Sequence, residues 1–164
     1  MNHRRITPQP GQESVWDYPR PPRLESVAKH IRIMFNGVTI AATHNAYRVL
    51  ETSHPPVYYL PPSDIQQEYL VAAEGNSWCE WKGQAQYWSV IVGSERLERV
   101  AWSYPEPSAG FAPIAAYVAF YAAPMDGCWV DAERVTPQPG NFYGGWITSD
   151  IVGPFKGEPG SWGW

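Results

Sequence analysis

The stretch Ile31-Arg32-Ile33-Met34-Phe35-Asn36-Gly37-Val38-Thr39-Ile40-Ala41-Ala42 decides the fold class. Ile31, Ile33 and Phe35 alternate with Arg32 and Met34, and Val38, Ile40 and Ala42 resume the alternation after Asn36-Gly37. A period of two sends one apolar set to one face of a sheet. Asn-Gly supplies two residues that accept positive φ, which the tightest hairpin turns demand. A β-hairpin is expected here.

The same pattern recurs downstream. Segments 77–82, 85–92 and 97–104 alternate around the turns Gly83-Gln84 and Gly93-Ser94, which predicts a meander of three antiparallel strands. Segments 115–121 and 129–135 read as two more strands. Val57 to Leu60 lies between Pro55-Pro56 and Pro61-Pro62, and proline cannot donate to a ladder, so this strand belongs at an edge or a barrel rim. One helix is predicted near 63–73, where Ser63-Asp64 offers a cap and Ile65, Glu68, Tyr69 and Ala72 fall at helical spacing. The expected class is all-β with that single short helix.

The ends differ from the middle. Residues 1–29 are proline-rich and predict an extended arm, 30–135 the β domain, and 136–164 a Gly/Pro/aromatic tail. Trp146, Phe155, Trp162 and Trp164 make that tail too apolar for disorder, so it is expected to wrap the core. Thr7-Pro8-Gln9-Pro10-Gly11 recurs as Thr136-Pro137-Gln138-Pro139-Gly140, which reads either as two polyproline spacers or as two equivalent straps. Straps of that kind could also be exchanged in a dimer.

The totals exclude several functions. With 164 residues and a net charge of −4, the chain is one domain by size and a poor match for a phosphate backbone, so no nucleic-acid partner is expected. No apolar run approaches the roughly 20 residues of a membrane span, and the first residues lack a signal-like apolar region. A cytoplasmic protein, monomeric or homodimeric, with Cys79 and Cys128 both reduced, is expected.

Nine Trp, ten Tyr and five Phe travel with 17 prolines and 14 glycines, as in Phe142-Tyr143-Gly144-Gly145-Trp146. Stiff turns of this kind present rings and phenols to a concavity. His54, with Glu51 three residues before it, is the candidate general base with its orienting carboxylate. Lys82 or a tyrosine would stabilise developing negative charge. Tyr58, Tyr87, Tyr104, Trp102 and Cys79 are the ligand-contacting candidates. Tyr58 and Tyr59 face opposite sides of their strand, and strand parity puts Lys82 on the face opposite Cys79.

A zinc site from His44, His54, Cys79 and Cys128 lacks the short spacing that such sites use, so no metal and no cofactor is expected. Asp131-Ala132-Glu133 reads as a same-face acidic pair on a strand. No Gly-x-Ser-x-Gly turn is present for a serine nucleophile.

Several segments together resemble one family. Glu51-Thr52-Ser53-His54-Pro55-Pro56-Val57-Tyr58-Tyr59-Leu60-Pro61-Pro62-Ser63-Asp64-Ile65 is similar to the opening of the family known as domain of unknown function 427. Cys79-Glu80-Trp81-Lys82-Gly83, Ala101-Trp102-Ser103-Tyr104-Pro105 and Val118-Ala119-Phe120-Tyr121 resemble its next strands in order. The likeness covers about residues 30–135, and the ends look like those of a longer single-domain subgroup. It implies a strongly bent antiparallel sheet, tent-like or an open barrel, with one short helix, to which the composition of the ends adds wrapping N- and C-terminal arms. It implies no activity, although a nucleotidyltransferase label attaches to the family.

The expectation is therefore a β domain handling a small-molecule ligand, with cofactor-independent acid–base chemistry (isomerase, lyase, cyclase or hydrolase) as its enzymatic form. A non-catalytic ligand- or protein-binding module is the alternative, and nucleotidyl transfer the weakest reading.

Overall fold

The computed structural model describes residues 4–140 and 142–164. Residues 1–3 of the expected arm and Asn141 of the expected tail lie outside the described residues. Ile31–Phe35 and Val38–Thr43 form the hairpin, with Asn36 at φ 49° and Gly37 at φ 76° in its turn. Nothing lies within 4 Å of a Cβ built on Gly37, so backbone conformation alone selects glycine there. Gly37→Ala is expected to cost about 1 kcal/mol, read as a lower urea midpoint at unchanged slope.

Three sheets make up most of the molecule, and none closes on itself among the described residues. Leu70–Cys79, Gly83–Val92 and Glu95–Ser103 form the meander, and Val118–Phe120 completes its edge. The hairpin extends on one side through Gly127–Val130 to Glu133–Arg134. Arg23–Val27, Ala46–Leu50 and Val57–Tyr59 form the third sheet, joined to the meander sheet by reciprocal backbone bonds of 2.9 Å between Leu60 and Val118. Register shifts near Ala72, Trp88 and Ile33 mark bulges, which bend strands.

Pleating gives this assembly two apolar faces. Leu60, Val90, Ala101, Val118 and Phe120 pack with Ile31, Ile33 and Phe35 in the main core. Their alternates Tyr59, Ala85, Trp102 and Ala119 gather with Val49, Tyr104, Phe111 and Ile114 in a second cluster. That second cluster is the floor on which the site is built.

The fold is all-β, but the helix near 63–73 is not formed as expected. Pro62–Asp64 and Gln67–Tyr69 are separate 3-10 turns, and the chain is extended from Leu70. Ile65 between the turns is drawn into a bridge with Ala41, and Gln66 N–H bonds Ile40 O at 2.8 Å. Asp64, expected as part of the cap, accepts from Thr43 Oγ1 at 2.6 Å instead. Long-range pairing thus overrides helical spacing.

The strand expected at 129–135 is likewise broken. Asp131 turns at φ 52° and its carboxylate accepts the His30 N–H, while Glu133 accepts from Ser149. The acidic pair is spent on loops.

Both arms fold back onto their own chain and meet. Glu13–Ser14 pairs in parallel with Ile151–Val152, and Trp16 Nε1 donates to Pro154 O at 2.9 Å. Thr136–Pro137 pairs with Trp146–Ile147, whose buried Trp146 donates its Nε1 to Phe120 O at 3.0 Å. Phe155 packs half-buried against Val15, Tyr18 and Leu50. Trp162, expected to help wrap the core, is 89% exposed. The two Thr-Pro-Gln-Pro-Gly segments are not equivalent, since Gln9 is exposed whereas Gln138 is buried within the second.

Candidate functional site

The chain leaves Leu50, turns through Glu51–Pro56 and returns as Val57–Tyr59, and this loop is held from both arms. Ser53 N–H bonds Val15 O at 3.1 Å, and Thr52 Oγ1 donates to Tyr18 O at 2.6 Å. From the tail side, Lys156 N–H bonds Ser53 O and Trp146 N–H bonds Pro56 O, each at 2.8 Å. Ser53 is fully buried at φ 72°, a left-handed conformation that a residue with a Cβ holds only when its surroundings fix it.

Beside this loop lies a cavity of about 610 Å³. Glu51, His54, Cys79, Lys82, Tyr87, Trp102 and Tyr104 all line it. Tyr58 does not. Parity sends it to the main core, where it stacks on Trp146 with ring centroids 5.2 Å apart, and its neighbour Tyr59 takes the cavity side. Both tyrosines are buried because both faces of the strand are covered.

Lys82 stands in the turn that joins Cys79 to Gly83, not on a strand, so Cys79 and Lys82 share the cavity despite their spacing. Ser108 pins the turn, its N–H on Lys82 O at 3.1 Å and its hydroxyl on Trp81 O. Lys82 is 9% exposed, and its Nζ lies over the rings of Tyr104 at 5.5 Å and Phe111 at 5.8 Å. Burial pushes the Tyr59 and Tyr104 phenols well above the usual range, so both stay protonated. Trp102 Nε1 donates to Tyr59 OH at 3.3 Å, and Tyr87 OH is engaged with Ser77 Oγ at 2.7 Å.

His54 Nε2 lies 3.7 Å from Glu51 Oε2, and Nδ1 lies 3.2 Å from Gln138 Nε2. Burial, then the charges of Arg20, Lys156 and Lys82, lower the imidazole pKa from 6.5 to about 4, so at neutral pH the ring is uncharged. Gln138 determines which tautomer it adopts. The Gln138 Oε1 accepts Gly145 N–H at 3.0 Å and its Nε2 donates to Lys156 O at 2.9 Å, so two backbone groups fix the amide's orientation. Toward His54 it can only donate. Nδ1 is therefore the lone-pair nitrogen, already occupied, and Nε2 carries the proton. The base near neutral pH expected from the sequence is here a neutral hydrogen-bond donor.

Part of the remaining wall comes from polar, aromatic and glycine residues that the sequence reading did not select, among them Arg20, Gln138, Tyr143, Gly144 and Lys156. Arg20 Nε lies 3.4 Å from Glu51 Oε2, and its Nη2 donates to Thr52 O. Lys156 Nζ donates to Ser161 O at 2.9 Å and Trp164 O at 3.3 Å. Tyr143 meets His54 edge-on at 5.1 Å. Gly144 passes so close to Trp102 that a Cβ would sit 2.1 Å from its Cη2. The Gly144-Gly145 pair amid aromatics was the visible signal of that close passage.

Among the described residues no three His, Cys, Asp or Glu side chains group as metal donors, and none of the helices is long and apolar enough to cross a membrane. The His44 ring packs on His30 at 4.8 Å. Both cysteines are free.

A family model described as a domain of unknown function (DUF427) matches residues 23–131, well over half of the chain. No curated protein matches it. Arg20, Gln138, Tyr143 and Lys156 lie outside the matched span, so the cavity is built partly from the matched region and partly from the arms.

Proposed function

The chain belongs to this family of unknown function, and from that premise we propose a small-molecule-handling β domain whose ligand occupies the 610 Å³ cavity. The observation that carries the reading is convergence. Glu51 and His54, Cys79 and Lys82, Tyr87, Trp102 and Tyr104, and Gln138, Tyr143 and Gly144 come from separate segments to one concavity of ordinary ligand-site size. Aromatic walls supply stacking area, and buried donors supply orientation.

If the domain is an enzyme, its chemistry is cofactor-independent acid–base chemistry in which Glu51 takes the base role and His54 the donor role. The 3.7 Å approach of Nε2 to the Glu51 carboxylate favours that assignment over His54 as base. Without turnover, the same groups make a non-catalytic binding module. A net charge of −4 argues against a nucleic-acid backbone as partner, and two unbridged cysteines fit a reducing, cytoplasmic compartment.

Cys79 offers the test. It lines the cavity, while Cys128 is 1% exposed and burial pushes its thiol up to about 12. Incubated with disulfide-bearing fragments, the folded protein is expected to trap a few selectively at Cys79 and none at Cys128, read by intact mass. Equal capture of every fragment by folded and urea-unfolded chain would sink the ligand-site reading. Ligands grown from such hits then separate enzyme from module, since Glu51→Gln should abolish turnover yet retain binding.

A further inference from the structure

Three cations line the cavity, and two of them are already answered by the protein. Arg20 is held by Glu51 and Thr52 O, and Lys156 by the carbonyls of Ser161 and Trp164. Lys82 is not. Among the described residues its ammonium makes no hydrogen bond and no ion pair, although the residue is only 9% exposed. An ammonium taken out of water needs an opposite charge or hydrogen-bond acceptors to offset its lost hydration. Ring faces at 5.5 and 5.8 Å attract it, but at the edge of the range in which such attraction counts.

The other charged and titratable groups facing this space supply Lys82 with no counter-charge. Glu51 is compensated by Arg20, and Glu80 is exposed at the turn without reaching Lys82. His54 presents an N–H because Gln138 occupies its lone pair, and the Tyr104 phenol is held protonated. The chain as a whole carries −4, so a cation left unpaired in this concavity does not follow from bulk charge.

We propose that the ligand carries an anionic group (carboxylate, sulfonate or phosphate) on an aromatic or apolar body, with the anion paired to Lys82 and the body against Trp102 and Tyr143. The inference rests on the ligand-site reading above and names the chemical class it accepts. Gln138 is its positioning residue, since it keeps the neighbouring imidazole a donor.

Two fluorescent probes of matched shape separate this proposal from the reading beneath it. 1-Anilinonaphthalene-8-sulfonate carries one anion on a fused aromatic body, and N-phenyl-1-naphthylamine is the same body without it. Wild-type protein is expected to bind the sulfonate saturably at one site and more tightly than the neutral probe. Prior alkylation of Cys79 should block that site. Lys82→Met should weaken the sulfonate by roughly tenfold or more, the scale of a lost charge-assisted hydrogen bond, and leave the neutral probe unchanged. Its melting temperature should equal or exceed that of wild type, because an unpaired buried charge is removed. Equal binding of both probes to wild type and to K82M would overturn the anion while sparing the ligand site. If neither probe binds, both readings fail. Should K82M fail to fold, Lys82 is structural and the proposal falls, unless the wild-type protein alone prefers the sulfonate in the Cys79-blockable site, which supports it.

Discussion

A chain ending at Val135 is expected to lose cooperative folding, and Trp146→Ala in the whole chain to lose about 3–5 kcal/mol, as large buried aromatics do. The tail supplies Trp146 at 1% exposure and Ile151 at 5%, along with the parallel partner of Glu13–Ser14. At about 1.5–3 kcal/mol for each large apolar side chain buried, these alone consume much of the about 5–15 kcal/mol that keeps a domain folded. Truncation also removes the backbone partners of Ser53 and Pro56, freeing the loop that carries His54. Urea unfolding by tryptophan fluorescence measures both variants. A truncated chain with the midpoint of the full chain would show the tail to be an appendage.

Acid should destabilise the protein well above the carboxylate range, and His54 should be the cause. Its folded pKa of about 4 lies below the unfolded value of 6.5, so between those values the unfolded chain binds more protons. Stability therefore rises with pH across that window. It is fully present above pH 6.5 and is lost as pH falls toward 4. The full shift corresponds to about 3 kcal/mol. His54→Asn keeps an acceptor for Gln138 but does not titrate, so its urea midpoint should fall much less between pH 7 and pH 4.5. Parallel losses in both proteins would place the acid sensitivity elsewhere.

Local patterns were legible in the sequence and long-range ones were not. The Asn36-Gly37 hairpin and the meander follow from alternation and turn residues a few positions apart, and both form. The helix near 63–73 fails because Ile65 pairs with Ala41, a partner that spacing cannot reveal. Arg23–Val27, read as part of an extended arm, is a strand. Its face carries Glu25, which with Glu13 pairs to Arg48 at 2.6 and 3.1 Å, so charge replaces the apolar alternation that would have announced it. In the site, the residues chosen for chemistry lie around one cavity apart from Tyr58, because parity separates Tyr58 from Tyr59 without telling which face has a hollow. Gln138 and Lys156 come from a tail whose return path leaves no local periodicity.

The proline pairs around Val57–Leu60 also guard the identity of the cavity wall. A slip of one residue in this strand's pairing with Ala46–Leu50 would exchange Tyr59 for Tyr58, pushing one phenol out of the hollow and the other out of its stack on Trp146. Pro55-Pro56 on one side and Pro61-Pro62 on the other have no N–H to offer a shifted ladder. A slipped strand would trade amide donors for proline nitrogens at either end. The prolines thus act as register stops, excluding a competing pairing in which the same sequence would present a different tyrosine to the cavity.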